Sequence, residues 1–204
     1  MTSAAPSAPG LPHGTTVSLG DDVWRYAGDT VLVGGAPTRI LKLTRYATAR
    51  LAGGSFEITD DASAGLAERL LDAGLAHPDP AVLPAVPLTD LTVIIPVHGR
   101  PAQLARLLDG LQGCCVLVVD DGTAEPAASL LRRTVAEAGA ELVRLEINAG
   151  PASARNAGLR AATTPFVAFV DSDVVVTAGQ LGTLLRHFAD PRLVRDHVAL
   201  LFAL

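Results

Sequence analysis

Two aspartates one residue apart, Asp171 and Asp173, follow the apolar run Phe166–Val170 and precede three valines. Carboxylates in such surroundings are costly unless something positive neutralises them. A hard divalent cation, Mg²⁺ or Mn²⁺, bridging to a diphosphate does so and also draws charge from a departing phosphate. Alone, so short a motif reads as readily as a solvated turn with an aspartate helix cap. Its context favours chemistry. A second pair, Asp120-Asp121, ends the apolar run 116–119, and Gly122 after it permits a tight turn. One carboxylate there can accept a uracil imide N–H or bond a ribose hydroxyl, turn capping being the plain alternative. The stretch from Asn148 through Gly150 and Pro151 to Gly158 opens a helix with proline in its first turn and offers free N–H groups to an anion. Arg155 on that helix reaches a phosphate, clamps an aspartate or makes an internal salt bridge.

These residues need a scaffold that brings them together. Apolar runs at 91–95, 115–119, 142–146 and 166–170 read as strands buried on both faces, and amphipathic stretches at 101–111, 125–138 and 151–162 as the helices between them. The alternation predicts an α/β fold with a parallel sheet whose ligand crevice lies at the strands' C-terminal ends. Pro96, Val97 and His98 follow the first run, so four strand ends converge. Neither GxGxxG nor GxxxxGK[ST] occurs, which removes support for ordinary dinucleotide and P-loop sites.

Ahead of this lies a different pattern. Short β-rich runs at 16–19, 31–33 and 39–43, separated by turn sequences, suggest a meander. A helix over 45–51 starts from Thr44, and a second, started by Asp60 or Asp61, aligns Leu66, Leu70 and Leu71 before Gly74. Together they predict a small α+β, winged-helix-like module over 13–77, after a loose tail at 1–12 and before a proline-rich linker at 78–89. The α/β domain occupies 90–204.

A chain of 204 residues, 49% of them apolar, can bury a core for each part. Its net charge of −5 argues against a nucleic-acid partner, and the basic residues of the front module, Arg25, Arg39, Lys42, Arg45 and Arg50, are diluted by acids. No stretch reads as a secretory signal or a membrane span, the best candidate being cut by Asp171 and Asp173. Adjacent Cys114 and Cys115 cannot form a usual disulfide and are expected to be reduced core thiols.

The ordered motifs Val93-Ile94-Ile95-Pro96-Val97-His98, Val118-Val119-Asp120-Asp121-Gly122-Thr123, Asn148 to Gly158 and Phe169-Val170-Asp171-Ser172-Asp173 resemble the donor half of a family-two, GT-A-type glycosyltransferase over about residues 90–190. The resemblance implies inverting transfer of a hexose from a UDP-sugar. Pro96 and Val97 would border the base, Asp121 (or Asp120) would contact uracil, and Asn148, Gly150 and Arg155 would line the same nucleotide site. Asp171 would face ribose and metal, and Asp173 would coordinate the cation. Around residues 34–44 and 72–78 the front module, fused ahead of such a domain, narrows the resemblance to the mycofactocin-system glycosyltransferases. These imply a peptide-derived acceptor, glucose as the sugar and a precursor peptide held at the front module as an added strand; a cytoplasmic location is expected from the lack of a recognisable signal and from the cytosolic supply of nucleotide sugars. A cell-wall or polysaccharide transferase and a non-catalytic peptide-binding scaffold are the rival readings. In this family the general base lies well beyond the DxD; Asp190, in a loop after a helix at 180–188, is not assigned that role. The chain is expected to be C-terminally truncated, with the base beyond Leu204 and the fragment itself inactive.

Overall fold

The computed structural model describes residues 10–189 and 200–203. The chain divides into two compact units between Pro84 and Ala85, the second running to Leu185 and taking in 200–203, while residues 186–189 belong with the first.

In the first unit, β1 (Thr16–Leu19) is followed by a three-stranded antiparallel meander of β2 (Trp24–Tyr26), β3 (Val31–Gly34) and β4 (Arg39–Lys42). Then come α1 (Arg45–Arg50), β5 (Ser55–Glu57), α2 (Asp61–Asp72) and β6 (Ala76–Pro78). The expected meander is therefore differently composed: β1 lies outside it, antiparallel between β5 and β6, and β2 takes its place. Thr44 caps α1 by accepting from the Ala47 N–H. Asp60 and Ser63 form a reciprocal capping box at α2, where each contact satisfies a donor that the first helical turn leaves open. Val17, Leu32, Leu51, Phe56, Ile58, Leu70 and Leu75 form the core. Burying each leucine or isoleucine contributes about 1.5–3 kcal/mol.

The second unit is a five-stranded, all-parallel sheet. Its elements are β7 (Leu91–Val97), α3 (Pro101–Gly110), β8 (Cys115–Asp121), α4 (Ala127–Glu137), β9 (Glu141–Leu145), α5 (Pro151–Ala161), β10 (Phe166–Val170), α6 (Ala178–Arg186) and β11 (Leu200–Ala203), with strand order β11-β10-β7-β8-β9. This is the α/β class the alternation predicts. Every residue of central β7 is buried. Pro96 lies beyond the last residue paired with β10, Ile94, and stays in register with Val119 of β8.

The chain adds β8 and β9 on one side of β7 and then returns to place β10 on the other, so right-handed crossovers put α5 on the face opposite α3 and α4. Ala154 and Ala157 of α5 pack against Ile94, Leu117, Val119 and Phe169. The helix lies close to the sheet: a Cβ on Gly158 would fall 2.4 Å from Cγ2 of Ile94. The reversal of strand order leaves a crevice at the C-terminal ends of β7, β8 and β10.

The cysteines correct an expectation. Both are free, but Cys114 is only half-buried and Cys115 is exposed, because β8 enters the core only from Leu117 onward. Burial, together with neighbouring Cys115, raises the Cys114 thiol above its ordinary value. Asp190 lies outside the described residues, and the helix expected at 180–188 is α6 followed by a short 3₁₀ turn, His187–Ala189.

Candidate functional site

A cleft of about 390 Å³ opens at the C-terminal edge of the sheet, walled by Pro96, Val97, His98, Asp121, Asn148, Arg155, Asp171 and Asp173, with Arg100, Pro151 and Ser172 completing it. Four segments distant in sequence thus meet at one place. Of the candidates named from sequence, Asp120 and Gly150 do not line it.

The two aspartates ending β8 have separate tasks. Asp120 is wholly buried; its carboxylate accepts from the Thr123 N–H at 2.9 Å and from Arg144 Nη1 at 2.8 Å, while Arg144 Nη2 donates to the Thr123 carbonyl at 2.8 Å. It closes the turn from within. Asp121 points to the cleft, its Oδ1 accepting from the Ala149 N–H at 2.9 Å and its Oδ2 from the Gly150 N–H at 2.8 Å. That carboxylate holds the loop entering α5 against the end of β8. Gly122 makes the approach possible: its φ is +67°, and a Cβ would fall 2.5 Å from the backbone N of Asn148 and C of Ile147. Gly150 is the N-cap of α5, with Pro151 at its first position and no side-chain cap. Helix N–H groups there remain available to an anion.

Asp171 and Asp173 lie in the turn after β10, each about half exposed. Asp171 Oδ1 accepts from Arg155 Nη2 at 2.6 Å, and Asp173 Oδ2 accepts from Arg100 Nη1 at 3.1 Å. The Arg155 Nε is buried without a hydrogen-bond partner. His98, beside them, shares its Nδ1 with the Asp121 carbonyl oxygen at 2.8 Å. Sequence reasoning passed over Arg100 as a site residue. The available signal was a basic residue three positions beyond a strand end that already carried candidates.

Among the described residues no group of three or more His, Cys, Asp or Glu side chains is placed to hold a metal ion. Two half-exposed carboxylates, each with an oxygen outside its arginine pair, nevertheless fit a Mg²⁺- or Mn²⁺-type site, since such ions commonly take one or two carboxylates and complete their shell with substrate phosphates and water. No helix of the described residues is long and apolar enough to cross a membrane.

A parallel α/β sheet whose C-terminal edge gathers paired carboxylates, arginines and an uncapped helix start has the chemistry to accommodate a phosphorylated ligand. The family model for glycosyl transferase family 2 matches residues 92–196, and the chain belongs to that family. It is similar to the pre-mycofactocin glycosyltransferase of Mycobacterium tuberculosis, with 45% identity over 182 residues that cover 89% of this chain and 38% of that protein. A match of that length cannot fit within 92–196, so it takes in the front unit as well. The chain spans well under half the length of that relative. The succinoglycan biosynthesis protein ExoU of Rhizobium meliloti is 32% identical over 102 residues, covering 48% of this chain and 30% of that one. Among solved structures, the mannosyltransferase PcManGT of Pyrobaculum calidifontis, in complex with GDP-Man and Mn²⁺, is 28% identical with a TM-score of 0.47, covering 56% of this chain and 35% of that chain.

Proposed function

We propose that residues 90–204 form the donor-binding half of an inverting, metal-dependent glycosyltransferase that moves a hexose, glucose, from a UDP-sugar to a hydroxyl of a peptide-derived acceptor of the mycofactocin type. The observation that carries this reading is the convergence of Asp171 and Asp173 with Pro96, Val97, Asp121 and Asn148 around one cleft. The similarity to pre-mycofactocin glycosyltransferase across most of the chain supports the acceptor class. A UDP-sugar donor implies a cytoplasmic reaction.

In this reading Pro96 and Val97 bound the base, and Asp121, with one lone pair of each oxygen engaged by the 149–150 N–H groups, keeps the others for the uracil imide or a ribose hydroxyl. Asn148 and the start of α5 face the phosphates, and Arg155 supplies a guanidinium beside them. Asp171 and Asp173 hold the cation. A Mg²⁺ or Mn²⁺ bound there supplies charge neutralisation to the diphosphate and to the departing nucleotide.

The front unit adds a second element. Among the described residues the outer edge of β4 is unpaired in its sheet, and a groove of about 290 Å³ lies beside the strand, lined by Leu41, Leu43, Ala47 and Leu66 with Lys42 and Arg69. A free strand edge next to an apolar groove suits a peptide segment bound by strand addition, and the precursor peptide or its product is the proposed occupant.

Calorimetric titration of UDP-glucose into the chain, with and without Mn²⁺ and beside Asp173→Ala, tests the donor site. The expected result is Mn²⁺-dependent binding that the substitution abolishes. Absence of binding to the folded wild-type chain sinks the donor assignment.

A further inference from the structure

Each carboxylate of the 171–173 turn already has its own cation, drawn from a different element: Arg155 from α5 and Arg100 from the loop that enters α3. The four groups together carry no net charge. A divalent cation arriving alone therefore meets a site whose attraction has been cancelled, and must bind Asp173 beside a guanidinium that already pairs with it. Neither arginine is locked in place. Arg100 is half exposed and makes one bond to the turn, while Arg155 keeps a buried Nε with no partner, so its pairing with Asp171 leaves a donor unmet. A further acceptor in the cleft would satisfy it.

We infer that Arg100 and Arg155 are exchangeable counter-ions, holding Asp171 and Asp173 until a nucleoside diphosphate enters and its phosphate oxygens take over the guanidiniums. The carboxylates are then released to the cation. This rests on the donor reading above. Cation and nucleotide consequently bind with positive coupling, each raising the other's affinity by the same factor. Arg100, the more exposed of the two, swings away from the turn; Arg155 stays in the cleft and passes from Asp171 to the ligand, its free donor included. Arg100 is thus a positioning residue that suppresses metal binding in the empty site.

The test measures Mn²⁺ binding to the full 204-residue chain by electron paramagnetic resonance, with and without UDP, in wild type, Arg100→Gln, Arg100→Lys and the charge-matched control Arg132→Gln, which does not line the cleft. Without UDP, Arg100→Gln should bind Mn²⁺ about fivefold more tightly than wild type and control, the size expected when one partly solvated positive charge is removed from beside the ligand. The factor by which UDP strengthens Mn²⁺ binding should shrink in the same variant, and Arg100→Lys, which keeps the charge, should stay near wild type in both arms. Unchanged or weaker Mn²⁺ binding to folded Arg100→Gln without UDP overturns the inference, as does a Lys variant indistinguishable from Gln. If UDP has no effect on Mn²⁺ binding to wild type, the donor reading fails separately, and the exchange fails with it; the arm without UDP still decides whether Arg100 guards Asp173.

Discussion

The end of β8 and the turn after β10 each present two aspartates to the same edge of the sheet, yet the two regions hold them in opposite ways. Asp120 and Asp121 are buried and committed, the first to Arg144 and the Thr123 N–H, the second to two consecutive N–H groups of the loop before α5. Asp171 and Asp173 are half exposed and each bonds one arginine that solvent also reaches. The difference separates carboxylates built into the loops that shape the cleft, Asp121 among them even as it faces the opening, from carboxylates held at its surface by single arginines. Removing a buried, multiply bonded acid leaves its partners unmet, whereas removing an exposed, singly paired one releases its partner to water.

The sharpest way to break this contrast is Asp120→Ala. Arg144 loses its partner and the Thr123 N–H its acceptor at a site with no water access on the aspartate side. The expected loss is about 3 kcal/mol of stability, at the lower end for a broken buried pair because Arg144 itself is partly exposed. Urea unfolding of the chain measures it, and a loss below about 1 kcal/mol would show that the turn closes without the carboxylate.

A smaller effect is expected from Asp171→Asn. Its pair with Arg155 is solvated on the aspartate side, so stability should change by no more than about 0.5–1 kcal/mol in the same unfolding assay. Mn²⁺-dependent UDP binding should nevertheless be lost. A destabilisation equal to that of Asp120→Ala would erase the distinction between the two regions.

Much of this arrangement was legible in the sequence, and what was missed has physical causes. Apolar runs alternating with amphipathic stretches indicated the parallel sheet, and strand ends indicated where the cleft opens. Period-two alternation says that adjacent Asp120 and Asp121 must point to opposite sides, but not which side is the cleft. That is decided by register: Asp120 stands beside Arg144 on β9, a partner 24 residues away that no local pattern identifies. Arg100 was missed for the same reason, since its meeting with Asp173 spans 73 residues. In the front unit, β2, β5 and β6 are three residues each, too short for alternation to register, and β1 joins strands far along the chain and not its sequence neighbours. Caps, which depend on residues three apart, were legible: Thr44 and Asp60 both act as their sequence context suggests.

The smallest predicted effect sharpens the comparison by separating exposure from the number of bonds. Glu125 is exposed, yet its carboxyl is held down to about 2 from an ordinary 4.5, first by the Ser129 side chain and then by Arg132, with further help from the Ser129 N–H. A carboxyl depressed in the folded state stabilises above its unfolded value, and that contribution fades as pH falls from about 4.5 towards 2. Glu125→Gln should therefore melt below wild type at neutral pH by a small margin, with the gap closing across that acidic window. A gap that stays constant from pH 7 to pH 2 would mean that solvent screening cancels these bonds and that exposure alone sets what an acid contributes here.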